Sequence, residues 1–501
     1  MTLPSWVWTA SLLLLPLAIS RVIQNLARRR KPLPPGPRGL PLVGNLFDVP
    51  KTQDWLCYIE MSRKYDSDII SVNLAGNTVI VLNSLTAAND LLENRSSIYS
   101  DRYETTVGFH WHIAFMRYGP RWKEHRKVFM KQFQPSEVLL HRPKELKAAR
   151  VLLRLLLDSP HKYERHMRHM AGMIILSTAY GIDILEENDP YVGISEKALQ
   201  AMATAANPGA YLVDSLPILK YVPDFFPGAG FKKQAREWFK VVDIMPHLPY
   251  DFVKTARAAG TAQSSIASRV LDEIQENAED SDDVRRDHEL TLKNTVSALG
   301  TFILAMTMYP EVQKKARAAI EEAVGRDRLP DFEDSIPYID ALVHEVLRWR
   351  PVTPLSVTHA VMEDDIYNGY HIPAGSVVVG NAWAILHDEA TYGPRTDEFI
   401  PERWLTADGK LNTEMPDSSP AFGFGRRICP GRDMAQWSVW ISAASILSVF
   451  NINKSLDKNG MPIEPSGEYT SGMLCYPIPH ECDIIPRSKA AEEIIRRAQL
   501  A

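Results

Sequence analysis

A chain of 501 residues with 45% hydrophobic and 23% charged side chains has a globular composition, which excludes disordered, collagen-like and coiled-coil organisation. Lys and Arg number 56 against 61 Asp and Glu, a net charge of -5 that is too balanced for a chain devoted to gripping a nucleic-acid backbone. At roughly 150 residues per domain the length suggests about three domains, although single large enzyme folds reach the same size.

The first element is the uncharged run from Met1 to Ser20, followed by Arg21, Arg28, Arg29, Arg30, Lys31 and Arg38. About 18 apolar-leaning residues at roughly 1.5 Å each reach about 27 Å, enough for a thin bilayer. The positive charge follows the apolar run, which argues against a cleaved signal peptide and leaves the bulk of the chain on the cytosolic side. Residues 1–20 are therefore expected to form a transmembrane anchor. Residues 21–39, basic and then proline-rich (PLPPGPRG), are expected to form a stiff hinge.

The body is expected to start at Leu40. Asp68 to Ser84 alternates apolar and polar residues around Gly76-Asn77, a hairpin pattern. Helical spacing dominates Leu146–Leu157, Glu164–Tyr180, Phe252–Glu276, Leu290–Tyr309 and Pro310–Val324, and a second strand-like patch lies at Asp365–Gly380. The fold reads as mainly α with small β-sheets and no internal repeat. The acidic stretch 272–283 reads as a solvated helix end and loop, and Phe226–Phe231 (FPGAGF) as a mobile connector without the features of a phosphate loop. His166 and His169, among Arg165 and Arg168, read as a solvated face rather than metal ligands.

Four cysteines are too few and too widely spaced for a disulfide scaffold. Cys57, Cys475 and Cys482 read as inert buried side chains. Cys429 differs, because it lies in Phe422-Gly-Phe-Gly425-Arg-Arg427-Ile-Cys429-Pro-Gly431 ahead of a helix-capable run. Gly425 and Gly431 allow a tight turn and close approach to a flat partner. Arg426, Arg427 and the following helix N-terminus would hold the sulfur as thiolate, which suits axial ligation of haem iron.

This stretch resembles the haem-binding loop of the cytochrome P-450 family, F-x-x-G-x-R-x-C-x-G, at every fixed position. Glu345-Val-Leu-Arg348 resembles the family's E-x-x-R, and Phe399-Ile-Pro-Glu-Arg403-Trp404 its downstream P-E-R-F/W element. Arg403 would then close an ion network with Glu345 and Arg348. Trp122-Lys-Glu-His-Arg126 resembles W-x-x-x-R. The resemblance implies that Trp122, Arg126, His359 and Arg427 hold the propionates of haem b, with Cys429 as the iron ligand and Phe422, Gly425 and Gly431 shaping the loop.

The likeness extends over essentially the whole chain and is closest to fungal microsomal members, in the group that includes tryptamine 4-hydroxylase and O-methylsterigmatocystin oxidoreductase. It implies a single haem-thiolate domain over residues 40–501, anchored in the endoplasmic reticulum membrane and facing the cytosol. Such an enzyme inserts one oxygen atom from O₂ into an apolar aromatic, polycyclic or terpenoid molecule, using NADPH through a cytochrome P-450 reductase. Lys123, Lys127, Lys131, Arg426 and Arg432 would form the basic surface for that acidic partner. Substrate contacts are expected from Thr106–Ile113, including Phe109 and Trp111, from Phe225–Phe231, and from Val352–Val357, including Pro354 and Leu355. No nucleic acid is expected as a partner.

One departure is large. The family's longest helix carries (A/G)-G-x-(D/E)-T, whereas Leu290 to Met306 contains no acid-Thr pair. Lys293-Asn294 resembles the residues on the N-terminal side of that motif and Thr295-Val-Ser-Ala298 those on its C-terminal side, so about a dozen residues are missing, or roughly 18 Å of helix. No catalytic residue is therefore identified, and Thr295 or Gly300-Thr301 would have to substitute without an adjacent acid. Without a positioned proton donor, reducing equivalents are expected to be lost as peroxide or superoxide. Three explanations are open: a gene-model or splicing omission, a real protein with residual or altered activity, or a haem-thiolate protein whose reaction needs no O₂ activation.

Overall fold

Proline sets the start of several long helices. Pro120, Pro190, Pro310 and Pro337 each open one, where the missing amide hydrogen costs nothing and the fixed φ suits the first turn. In this computed structural model the described residues are 32–102 except 42 and 51, 112–186, 188–205, 211, 213, 217–226, 228–277 and 291–498. The expected anchor at residues 1–20 lies outside them. Among the described residues no helix is long and apolar enough to cross a membrane.

The long helices are α1 (Asp54–Tyr65), α2 (Pro120–Gln132), α3 (Arg142–Asp158), α4 (Tyr163–Tyr180), α5 (Pro190–Ala205) and α6 (Gly230–Ala258). They continue with α7 (Ile266–Asn277), α8 (Thr291–Met308), α9 (Pro310–Val324), α10 (Pro337–Trp349), α11 (Arg432–Val449) and α12 (Lys489–Arg497). The main core is helical: α3, α4, α8, α10 and α11 bury Leu152, Met170, Phe302, Ile339, Leu342, Ile441 and Leu447 against one another. The helix expected over 252–276 is instead two, α6 and α7, separated at Gly260, whose φ of 69° suits glycine.

Strands β1 (Ile69–Leu74), β2 (Asn77–Leu82), β3 (His359–Ala360) and β6 (Val377–Gly380) form one sheet in the order β1-β2-β6-β3. The first hairpin turns at Ala75-Gly76, one residue earlier than expected, with φ of 50° and 96°. Positive φ at both central positions matches the twist of flanking strands. β6 pairs parallel to β2 and antiparallel to β3, and its four residues are all buried, as an internal strand requires. β4 (Asp365–Tyr367) and β5 (Tyr370–Ile372) form a second hairpin, and β7 (Phe450–Lys454) pairs with β8 (Cys482–Pro486).

The proline-rich segment is not a free hinge. Ser71 donates its amide to the Pro35 carbonyl at 2.9 Å and its hydroxyl to the Pro34 carbonyl at 2.6 Å. His371 donates its amide to the Pro32 carbonyl at 2.8 Å. A Cβ at Gly36 would lie 1.9 Å from the Ser71 carbonyl oxygen, so only glycine lets this segment lie along β1. Residues upstream of Leu40, from Pro32 onward, are therefore already packed on the folded body.

Candidate active site

The Cys429 loop is built from two 3-10 turns, Ser419–Phe422 and Gly425–Arg427, that lead into α11. The Cys429 amide donates to the Phe422 carbonyl at 3.0 Å, folding the loop back on itself. Gly425 has φ 58°, and a Cβ there would meet the Leu92 carbonyl oxygen at 1.9 Å. The chain's own backbone at Leu92 therefore already requires glycine at this position. Gly431, with φ -92°, caps α11 in a conformation open to any residue.

Burial pushes the Cys429 thiol up, and the Gly431 amide, Arg126 and Arg432 do not offset it. Arg126 and Arg432 are the cations that pull the thiol down against that burial. A coordinated metal deprotonates a thiol outright, and Cys429, a free cysteine, is available for that role. Burial also pushes Cys475 and Cys482 up to about 12, so those thiols stay protonated.

Beside this loop lies a group of buried cations. Arg427 is 8% exposed and donates to the carbonyls of Ser100 at 2.8 Å, Ile113 at 3.1 Å and Met116 at 2.8 Å. Its guanidinium sits 4.2 Å from the centre of the Trp122 ring. Arg102, 5% exposed, donates to the carbonyls of Ala114 at 2.9 Å, Val357 at 2.6 Å and Thr358 at 2.8 Å. Arg126 donates to the Ile428 carbonyl at 2.6 Å.

Burial lowers Arg427 to about 9 and lowers Arg102 well below its ordinary value, and in Arg102 the neighbouring Arg427 charge adds to the effect. Asp101, the nearby carboxylate, is engaged by Arg117 at 3.0 Å and by the Tyr118 amide at 2.7 Å. His359 is buried and bonds the Tyr99 carbonyl through Nδ1 at 2.7 Å. A carbonyl only accepts, so Nδ1 carries the proton and the neutral ring offers Nε2 as an acceptor. Burial, then Arg102, holds that ring neutral.

Neutral carbonyls hydrogen-bond these guanidinium groups without compensating their charge. An apolar, flat group bearing two carboxylates answers that deficit, so the residues fit haem. Arg102 is a site residue that the sequence does not single out. Ser100-Asp-Arg102 carries no spacing motif, and only the fold brings Arg102 beside Arg427.

Glu345 is fully buried and bonded on both oxygens. Arg348 reaches it at 2.8 and 3.0 Å, Arg403 at 3.1 Å, the Ile400 amide at 2.8 Å and the Trp404 indole at 2.9 Å. The expected three-residue network is present, and Trp404 and Ile400 extend it. It ties α10 to the segment that leads into the Cys429 loop.

Helix α8 has 18 residues and no acidic side chain. Thr301 is fully buried and accepts a hydrogen bond from the Tyr469 hydroxyl at 3.0 Å. Ser297 donates to the Cys475 carbonyl at 2.6 Å, and a Cβ at Gly300 would meet Pro477 at 3.0 Å. The hairpin-like segment 469–477 thus lies against this face of α8.

The expected substrate residues separate. Val357 joins an apolar cluster with Phe115, Ala198, Met202, Met245 and Met473, whereas Leu355 packs against the β-sheet cluster. The Pro354 carbonyl accepts from the Trp383 amide at 3.0 Å. Phe109 and Trp111 lie outside the described residues, and Phe225 and Phe226 are exposed. His166 and His169 are buried, not solvated, and bond Ser159 and the Leu185 carbonyl. Lys123, Lys127 and Lys131 are exposed along α2, as are Arg426 and Arg432 beside the loop.

A helical core, a loop presenting one cysteine and a buried set of arginines define a haem-thiolate class of protein. The cytochrome P450 family model matches residues 34–477, and the chain belongs to that family of monooxygenases. It is 44% identical over 480 residues to the cytochrome P450 monooxygenase eriA of Hericium erinaceus, covering 92% of this chain and 90% of that protein. It is 42% identical over 491 residues to cytochrome P450 monooxygenase 98 of Postia placenta, with 95% and 94% covered. A tryptamine 4-monooxygenase of Psilocybe cyanescens is 40% identical over 484 residues, with 92% and 94% covered.

Proposed function

We propose that this chain is an endoplasmic reticulum monooxygenase of fungal secondary metabolism. It is anchored by residues 1–20 and oxidises an apolar aromatic, polycyclic or terpenoid molecule. The observation that carries the reading is the pair Arg102 and Arg427, buried beside the Cys429 loop and hydrogen-bonded, among the described residues, to carbonyls.

Haem, when bound, supplies O₂ activation with electrons that originate in NADPH. Cys429 would ligate its iron, and Arg102, Arg126, Arg427 and Trp122 would hold its carboxylates by hydrogen bonds, charge-assisted for the arginines. His359 must be protonated to donate to a carboxylate, and a nearby carboxylate favours that charged form. Lys123, Lys127, Lys131, Arg426 and Arg432 offer a basic face to an acidic reductase.

The absence of an acid beside Thr295 or Thr301 favours a second feature, poor coupling of electron flow to product. The clean junction of family-like sequence at Asn294 and Thr295 supports an omitted segment of about a dozen residues as its origin. A haem-binding protein with little oxygenase activity, or a haem-thiolate isomerase, is the competing reading.

Reduced protein under carbon monoxide should give the red-shifted Soret band of thiolate ligation, and its absence rejects Cys429. With a reductase present, NADPH consumption should far exceed product formation. Tight coupling in the chain as it stands would overturn the uncoupling. Translation of the genomic DNA around codons 294 and 295 tests the omission, because an in-frame acid-Thr segment supports it and a continuous exon rejects it.

A further inference from the structure

The outward face of α6 carries a charge order that complements a copy of itself. The inward face is fixed by Val242, Met245, Pro246, Pro249 and Val253, all buried where α6 packs on α5. Opposite them, Lys240, Ile244, Leu248 and Asp251 succeed one another at intervals of four, four and three residues, which puts them on one stripe. Ile244 is 48% exposed and Leu248 36%. Lys240 and Asp251 are exposed as well, and among the described residues no element covers the stripe. Phe252, 40% exposed, widens its apolar centre.

From the N-terminal end of the helix, the stripe runs cation, aliphatic, aliphatic, anion. We propose that α6 is a homodimerisation helix that pairs antiparallel with α6 of a second copy about a two-fold axis. In that arrangement Lys240 of one copy faces Asp251 of the other at both ends, and Ile244 and Leu248 interleave between them. Within one copy Lys240 lies 3.4 Å from Glu237, an exposed contact that pairing with Asp251 of the second copy would compete with. Parallel pairing would oppose Lys240 to Lys240 and Asp251 to Asp251, so charge selects the antiparallel, isologous form.

The occupant is a second copy rather than another partner because Lys240 meets Asp251 at both ends only when the stripe is set against its own reverse. A lipid surface would be served by the aliphatic pair but not by Asp251 beside it. One helix-on-helix contact buries less than the ~1,200–2,000 Å² of a stable dimer, so the association is weak and depends on concentration.

The test uses the full-length holoenzyme in a mild detergent and sedimentation equilibrium from about 1 to 100 μM. Lys240→Asp and Asp251→Lys should each weaken self-association at least tenfold while the haem spectrum is unchanged. An equimolar mixture of the two variants should recover it, since one copy then presents only anions and the other only cations along the stripe. A wild-type protein that stays monomeric throughout overturns the proposal, as does equal association of all variants or a mixture that fails to recover. Loss of binding to vesicles by the variants, without a change in association, assigns the stripe to a lipid surface and likewise overturns it.

Discussion

The guanidinium of Arg427 stacks 4.2 Å from the centre of the Trp122 indole, and its nitrogens reach the carbonyls of Ser100, Ile113 and Met116. Trp122 arrives from α2 and Arg427 from the Cys429 loop, so this contact joins the two segments. It also leaves a buried charge with neutral acceptors, next to a second such charge on Arg102. Replacing Arg102 with Gln should keep part of its hydrogen bonding and remove its charge. Haem transfer to excess apomyoglobin should become about tenfold to a hundredfold faster, the scale of one charge-assisted bond. An unchanged transfer rate would exclude Arg102 from the carboxylate site.

Glu345 bears the counter-charge for two arginines. Arg348 is fully buried, and the Arg403 side chain is 5% exposed. Glu345→Gln leaves both guanidinium groups in the interior without an anion, a loss of about 3–5 kcal/mol. That is a large part of the ~5–15 kcal/mol that holds a domain together. The variant should accumulate as haem-free, protease-sensitive protein. Recovery of folded holoprotein at wild-type yield would show the network to be dispensable.

How much of the fold and site is readable in the sequence depends on how local each cause is. Glu345 and Arg348 are one helical turn apart, and Arg403 lies in a recognisable element, so their network can be anticipated. The Trp404 indole and Ile400 amide reach the same carboxylate through tertiary geometry, and nothing in their spacing announces it. Arg102 is hidden for the same reason. His166 and His169 read as solvated because flanking arginines suggest solvent, whereas α4 is buried over most of its circumference. The proline-rich segment reads as a spacer because proline breaks helices, yet those residues leave carbonyls free for Ser71 to bind.

Lys123, Lys127 and Lys131 recur every four residues and share the exposed face of α2, close to the Arg126 contact with the Cys429 loop. Charge reversal of all three to Glu should slow reduction by the acidic reductase at least tenfold at low salt, within the ~10–10³-fold range of electrostatic steering. Raising ionic strength should slow the wild type and bring the two rates together. Stopped-flow reduction under carbon monoxide reads this directly. Equal rates at low salt would place the docking face elsewhere.

Glu145 offers a test of pH dependence remote from the Cys429 loop. It is fully buried between α3 and α11, with Ser438 donating to one oxygen at 2.8 Å and the other oxygen without a hydrogen-bond partner. Burial pushes its carboxyl up to about 8, against the downward pull of Ser438 and Arg142. The folded chain therefore keeps a proton that the unfolded chain releases near the ordinary value of 4.5. Stability is greatest below the unfolded value and falls as pH rises from there towards the folded value. The accumulated loss at neutral pH is of order 3 kcal/mol, taking about 1.4 kcal/mol per unit. Glu145→Gln retains an acceptor for Ser438 and removes the titration. Its stability should match the wild type near pH 4.5 and exceed it increasingly up to pH 8, measured by urea unfolding across that range. Parallel pH profiles for the two proteins would mean that Glu145 is already ionised in the folded chain.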